Sequence, residues 1–316
     1  MGFRINADQI TTQYTQTLAS FVDKLRYDDI PSDVHDRAVY AVMHAVGEAL
    51  SAKGTPLGKK AVSLGKVIGS GEPAATLWTD GAKVSMAAAA FTAGVLCTAP
   101  ADGSVPTAFV VCDALKKSGR DCITAVVAGI EVSQRIARVV HPPELESAAV
   151  ASWPDAWRIF AALVPAAKLM GLTGEQIEQA FGFGCLTCPV PGNAHRTAEG
   201  DARRFEHGFR ASDGIFCAET ALVGIDNYTG CFDDPHSWDY FMASEPQRSW
   251  YIKELGTTWL TQSVFVPDSM SAEEHIELFR SRASAALSGK KLDRAAEALF
   301  HLASLEDISV LSEYLY

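Results

Sequence analysis

Three short stretches gather the side chains able to move protons or hold negative charge. Asp102 stands between Pro100 and Gly103, in a break between two apolar runs. Trp153, Asp155, Trp157 and Arg158 crowd together just ahead of a helical pattern. His195 and Arg196, then Arg203, Arg204 and His207, flank a polar loop beside a helix start. Carboxylates and an imidazole exchange protons near neutral pH, whereas a guanidinium stays charged and stabilises carboxylate or enolate oxygen. Asp102, Asp155 and His207 are therefore the candidate catalytic groups. Trp153, Trp157, Arg158, His195 and Arg203 are the candidate substrate contacts, two aromatics with polar anchors in an apolar pocket. Each also has a plainer use: an aspartate between proline and glycine caps or turns, tryptophans pack at helix starts, and charged loops are solvated.

Other chemistries lack their residues. Cys185-Leu186-Thr187-Cys188 spells C-x-x-C, yet no second Cys/His pair at ligand spacing and no strand-rich redox pattern accompanies it. Asp28-Asp29 and Asp233-Asp234 lack a third carboxylate on the same helix face, as Mg²⁺–diphosphate binding requires. There is no P-loop and no G-x-G-x-x-G. The expectation is chemistry without a metal or organic cofactor.

Helices must position these groups. The centre of the chain, residues 74–140, holds three Ala- and Val-rich segments separated by breaks at 100–106 and 118–120. Ile123, Val126, Val127 and Ile130 fall at i, i+3, i+4 and i+7, one stripe of a helix. Small residues, Ala87 to Ala90 and Gly94, allow close helix approach, so this stretch reads as a buried centre with a pocket opening near Asp102. Helices are expected over 15–26, from a Ser32 cap to Ala52, over 57–68, from an Asp155 cap to Met170 with Pro165 inside, and over 203–223. Thr173 with Gln176, and Ser271 with Glu274, read as capping boxes. Glu131 and Arg135, one turn apart, read as an internal structural pair. The chain is expected to be all-α, a single helical domain over 1–316 with a core to 265 and closing helices over 271–316.

Composition agrees with a folded interior: 316 residues, 48% hydrophobic and 21% charged. A net charge of −11 argues against a nucleic-acid backbone or an anionic membrane surface as partner. Seven cysteines are an odd number, and Cys112, Cys122 and Cys217 read as small buried hydrophobes in a reducing compartment. Residues 1–12 have no apolar leader core, and no run is long enough to span a bilayer. A cytoplasmic protein with a small-molecule substrate is expected.

Five segments in order, LASFVDKLRYDDIPSDVHDRA, ATLWTDGAKVSMAAAAFTAG, SGRDCITAVVAGIEVSQRI, AAKLMGLTGEQIEQAFG and HGFRASDG, resemble the MmgE/PrpD family. That resemblance implies a large helical domain that dimerises and carries an active site on its open side. It also implies dehydration, decarboxylation or epimerisation of small acids. Two departures stand out. The family's smaller α/β lid domain has no counterpart between TTWLTQSVFVPDS and EEHIELFRSRASAALSGKK. Its loop of His and Asp residues becomes VLCTAPADGS, in which Asp102 alone is acidic, and a His-Pro helix start becomes Ala151-Ser152-Trp153-Pro154. Arg203 and Val266 stand roughly where the family has lysines, and arginine cannot serve as a base. The leading expectation is a cofactor-independent isomerase, cyclase or lyase in specialised biosynthesis. A family-type dehydratase or decarboxylase and a non-catalytic binding subunit are the alternatives.

Overall fold

A computed structural model describes residues 13–69, 73–97, 103–140, 157–188, 201–234, 245–262 and 269–315. It is a helical assembly. The N-terminal helix α1 (Tyr14–Lys24) buries Leu18, Ala19 and Val22, and its first amides are capped from far along the chain. Asp233 accepts hydrogen bonds from the N–H groups of Tyr14 at 2.5 Å and Thr15 at 3.1 Å. The carboxylate thereby satisfies helix-end donors and complements the dipole.

Helix α2 (Ser32–Ala52) follows a 3₁₀ turn at Tyr27–Asp29. Pro31 occupies its N-cap position and Ser32 is the first helical residue. This corrects the expected Ser32 cap by one position, since proline's fixed φ suits a helix entry without a side-chain bond. Thr55 caps α3 (Pro56–Ile68) by accepting from Gly58 N at 3.0 Å. A two-stranded pairing, β1 (Ala75–Thr76) with β2 (Lys83–Val84), is antiparallel in the register Ala75↔Val84. Buried Asp113 ties it to the interior by accepting from Thr76 N at 2.7 Å.

The central helices are α4 (Met86–Leu96), α5 (Ser104–Leu115) and α6 (Gly119–Val140). From Ala88 to Leu96 every α4 residue is buried, as its nearly uniform apolar sequence requires. Pro106 falls in the first turn of α5 rather than in a break, because an amide there has no intrahelical acceptor to lose. On α6 the stripe Ile123, Val126, Val127 and Ile130 is buried, each side chain contributing roughly 1.5–3 kcal/mol.

Helix α7 (Arg158–Met170) contains Pro165 and ends at Gly171. The capping box Thr173–Gln176 opens α8 (Gly174–Thr187) as its sequence implies. Helix α9 (Asp201–Leu222) lies across α4 and α7. After the short α10 (Glu245–Arg248), the capping box Ser271–Glu274 starts α11 (Ala272–Ala283), followed by α12 (Gly289–Phe300) and α13 (Ser312–Leu315). Both α11 and α12 pack on α2. One cluster of buried apolar side chains runs from Tyr14 to Leu315. No described helix is long and apolar enough to cross a membrane.

Two buried polar pairs, one of them charged, set the interior. Glu131 and Arg135 are each about 1% exposed and meet at 2.7 Å. Arg135 also donates to the carbonyls of Lys253 (3.3 Å), Glu254 (3.2 Å) and Thr258 (3.0 Å). Glu131 accepts from Leu260 N (3.0 Å), Thr261 N (2.8 Å) and Thr261 Oγ1 (2.7 Å). The pair is structural, as its spacing suggests, and it staples residues 253–261 to α6. Between α2 and α11, His44 Nε2 and His275 Nδ1 share a hydrogen bond at 3.0 Å, and Tyr40 stacks on His275 with ring centroids 4.0 Å apart. Burial, with Arg282 and His275 nearby, lowers the His44 pKa from 6.5 to about 4.

Candidate functional site

Backbone contacts made possible by glycine and alanine bring the candidate segments together. A Cβ on Gly94 of α4 would lie 2.8 Å from the carbonyl oxygen of His207, so the His207 turn of α9 rests directly on the end of α4. A Cβ on Gly208 would meet the Phe91 carbonyl at 2.7 Å. Only hydrogen at these positions permits so close a crossing. Farther along α9, a Cβ on Gly214 would come within 2.6 Å of Ala162 on α7. Gly103, at the N-cap of α5, faces the same Ala162, 3.7 Å from where its own Cβ would stand. The φ of Gly103 is +114°, in the left-handed region that favours glycine. The entrance to α5, the first turns of α7 and the middle of α9 thus meet around Ala161 and Ala162.

The candidate residues fall on this junction unevenly. Trp157 precedes α7 and is buried, with the Arg158 guanidinium over its ring at 4.8 Å. Such stacking holds a cation while leaving its edge donors directed elsewhere. His207 is half-buried in the first half of α9. Arg203 lies in the first turn of α9, but its side chain is outside the described residues, as are Asp102, Trp153, Asp155 and His195 altogether. The structure places Trp157 and Arg158 at the start of α7, and His207 on the stretch of α9 that rests on α4.

Two further groups belong here that sequence reading passed over. Arg210, one turn beyond His207, pairs with Asp213 at 2.9 Å, and its buried Nε has no hydrogen-bond partner among the described residues. Desolvation raises the Asp213 pKa against the lowering influence of Arg210. Their signal was the i, i+3 spacing within HGFRASDG. Thr107, on the second turn of α5, is buried with its hydroxyl similarly unpartnered. Unanswered buried donors are uncommon in finished interiors and mark places where a ligand can bind.

The cysteines nearby have another character. Burial pushes Cys188 up to about 12, Arg210 opposing and Cys217 reinforcing. Burial likewise takes Cys217 to about 11, against the Thr187 hydrogen bond. Thiols held this firmly protonated are poor nucleophiles and poor ligands. Cys112 and Cys122 are fully buried, as small hydrophobes.

The family model of the MmgE/PrpD N-terminal domain, a helical domain, matches residues 16–250. The chain belongs to the MmgE/PrpD family. Among its relatives, cis-aconitate decarboxylase of Aspergillus terreus is 25% identical over 241 residues, covering 69% of this chain and 48% of that protein. The cis-aconitate decarboxylase-like protein oryM of Aspergillus oryzae is 27% identical, covering 68% of this chain and 48% of that protein. The chain spans about half the length of these relatives.

Proposed function

We propose that this protein is a cofactor-independent lyase that decarboxylates or dehydrates a small carboxylic acid at the α5–α7–α9 junction. The observation that supports this most is the packing of α9, which carries His207 and Arg210, across α4 and the early turns of α7, the helix that begins at Arg158, in a chain whose relatives include cis-aconitate decarboxylases. In this reading Arg158 and Arg210 hold carboxylate oxygens through charge-assisted hydrogen bonds. In decarboxylation the C–C bond to the departing carboxylate breaks, CO₂ leaves, and the electron pair passes into a conjugated enolate that the guanidiniums stabilise. His207 then delivers a proton to carbon. In dehydration a base, Asp102 or Asp155, takes the α-proton while His207 protonates the leaving hydroxyl.

A second reading is an isomerase or cyclase for a larger, more apolar substrate. It rests on the aromatic character of the α7 entrance, where Trp157 backs Arg158. The two separate in one assay series. The lyase reading expects turnover of cis-aconitate or 2-methylcitrate, followed by CO₂ release and enoate absorbance. His207→Ala should lower kcat roughly 10²- to 10⁴-fold, and Arg158→Gln should mainly raise KM. Inertness toward both acids, with uncharged polyenes or enones converted instead, would favour the second reading. A homodimer accompanies either one. We assign its contact to the exposed Phe209 and Phe216 of α9, with Val223 just past its end, spaced at i, i+7 and i+14, and light scattering that shows a monomer would remove it.

A further inference from the structure

At the far end of α7 from Arg158 lies a concave site that the proposed chemistry does not use. Lys168 comes ten residues after Arg158, about 15 Å along the helix axis. There the end of α1, the start of α6 and the end of α7 enclose a cleft of about 530 Å³. Four cations line it: Arg26, Lys117, Arg120 and Lys168. Two carboxylates face them, Asp23 and Asp121, so positive charge is in surplus in a chain whose net charge is −11.

None of the four cations forms an ion pair with a described carboxylate. Uncharged groups hold three of them in place. Arg26 Nη1 donates to the carbonyls of Asp23 at 2.5 Å and Leu25 at 3.2 Å. Lys168 Nζ donates to the carbonyls of Val22 and Leu25, each at 2.7 Å. The Arg120 guanidinium sits over the Tyr27 ring at 5.0 Å. Asp121 is engaged by Ser118, accepting from its hydroxyl at 2.7 Å and its N–H at 3.1 Å. The positive groups are thus oriented without being neutralised, which is preorganisation for an incoming anion.

We propose that this cleft binds a small anion bearing a carboxylate or phosphate group, held by Arg26, Arg120 and Lys168 and bridging α1, α6 and α7. Lys168 reports on the same surplus: burial first, then Arg26, lowers its pKa from 10.5 to about 8. Three groups oppose that shift, Asp23, Asp121 and Asp29. An anion in the cleft would favour the ammonium and take up a proton at mildly alkaline pH. Because the cleft stands apart from the α5–α7–α9 junction, its occupancy does not depend on the proposed reaction.

The test is calorimetric titration of the full chain with inorganic phosphate and, separately, with succinate, at constant ionic strength. Wild type should give a saturable heat with at least one probe, at a dissociation constant of about 1 mM or tighter, and whichever probe binds names the anion class. Binding should weaken as pH rises from 7 to 9 and Lys168 loses its proton. The double variant Arg26→Gln, Arg120→Gln removes two exposed side chains that are not needed for packing, and should weaken binding at least tenfold, roughly one charge-assisted hydrogen bond or more. No saturable heat from either probe overturns the proposal, and so does an affinity unchanged in the double variant. His207→Ala should leave this binding intact while altering turnover, which separates the failure of one idea from the failure of the other.

Discussion

Two of the arginines on helix α6 live in opposite circumstances. Arg135 is buried, and every nitrogen of its guanidinium has an acceptor, one of them the carboxylate of Glu131. Arg120, four turns earlier, is exposed and rests on an aromatic face. The first has been closed by the fold itself, whereas the second keeps its donors for something else. Saturated polar groups mark architecture, and oriented but unanswered ones mark places of recognition. The same contrast separates Glu131–Arg135 from the junction that holds Arg210 and Thr107.

Substitutions test whether the two kinds of polar group differ as their surroundings imply. Arg135→Leu strands the Glu131 carboxylate and should cost about 3–5 kcal/mol in denaturant unfolding. A loss below about 1 kcal/mol would show that the network is ornament rather than frame. The His44–His275 pair should show itself through pH. The folded-state pKa of His44, about 4, lies below the ordinary 6.5, so the unfolded chain takes up the proton first as pH falls. Stability from this group is full above pH 6.5 and drains away toward pH 4. At pH 5 the loss should be about 1 kcal/mol, discounted for partial solvent contact, and His44→Leu should flatten the curve between pH 7 and 5. Thr107→Val removes a hydroxyl with no partner among the described residues, so unfolding should be unchanged or strengthened by up to about 1 kcal/mol. A clear destabilisation would mean the hydroxyl serves packing, not substrate. Smallest of all, Arg120→Gln should shift unfolding by less than about 0.5 kcal/mol, the counterpart of Arg135→Leu on the same helix.

What could be read from the chain was what is local. The α6 stripe, the capping boxes at Thr173 and Ser271, and the i, i+4 spacing of Glu131 with Arg135 all lie within one or two turns, where periodicity speaks directly. The carbonyls that complete Arg135 lie more than 110 residues away, and His275 lies 231 from His44, so no spacing rule reaches them. Asp233 shows the same limit. Its neighbouring aspartate invited comparison with a metal motif, and the structure gives it the amides of α1 to cap. The cation cleft was hidden for a related reason: its four positive charges come from three separate helix ends. At the candidate site, His207 and Arg158 were legible by residue type, but the packing of the helices that carry them depends on the Gly94, Gly208 and Gly214 crossings, which sequence shows only as small residues.

The way α2 holds both sides of one connection has a consequence for engineering. Arg37 Nε donates to the Gln262 carbonyl at 3.0 Å, and seven residues later on the same helix His44 grips His275. The polypeptide therefore departs from and returns to moorings only about 10 Å apart along a single rigid rod. A foreign module with neighbouring termini could be spliced between Gln262 and Ser271 while both moorings stay fast, which makes this the seam at which the scaffold accepts new cargo.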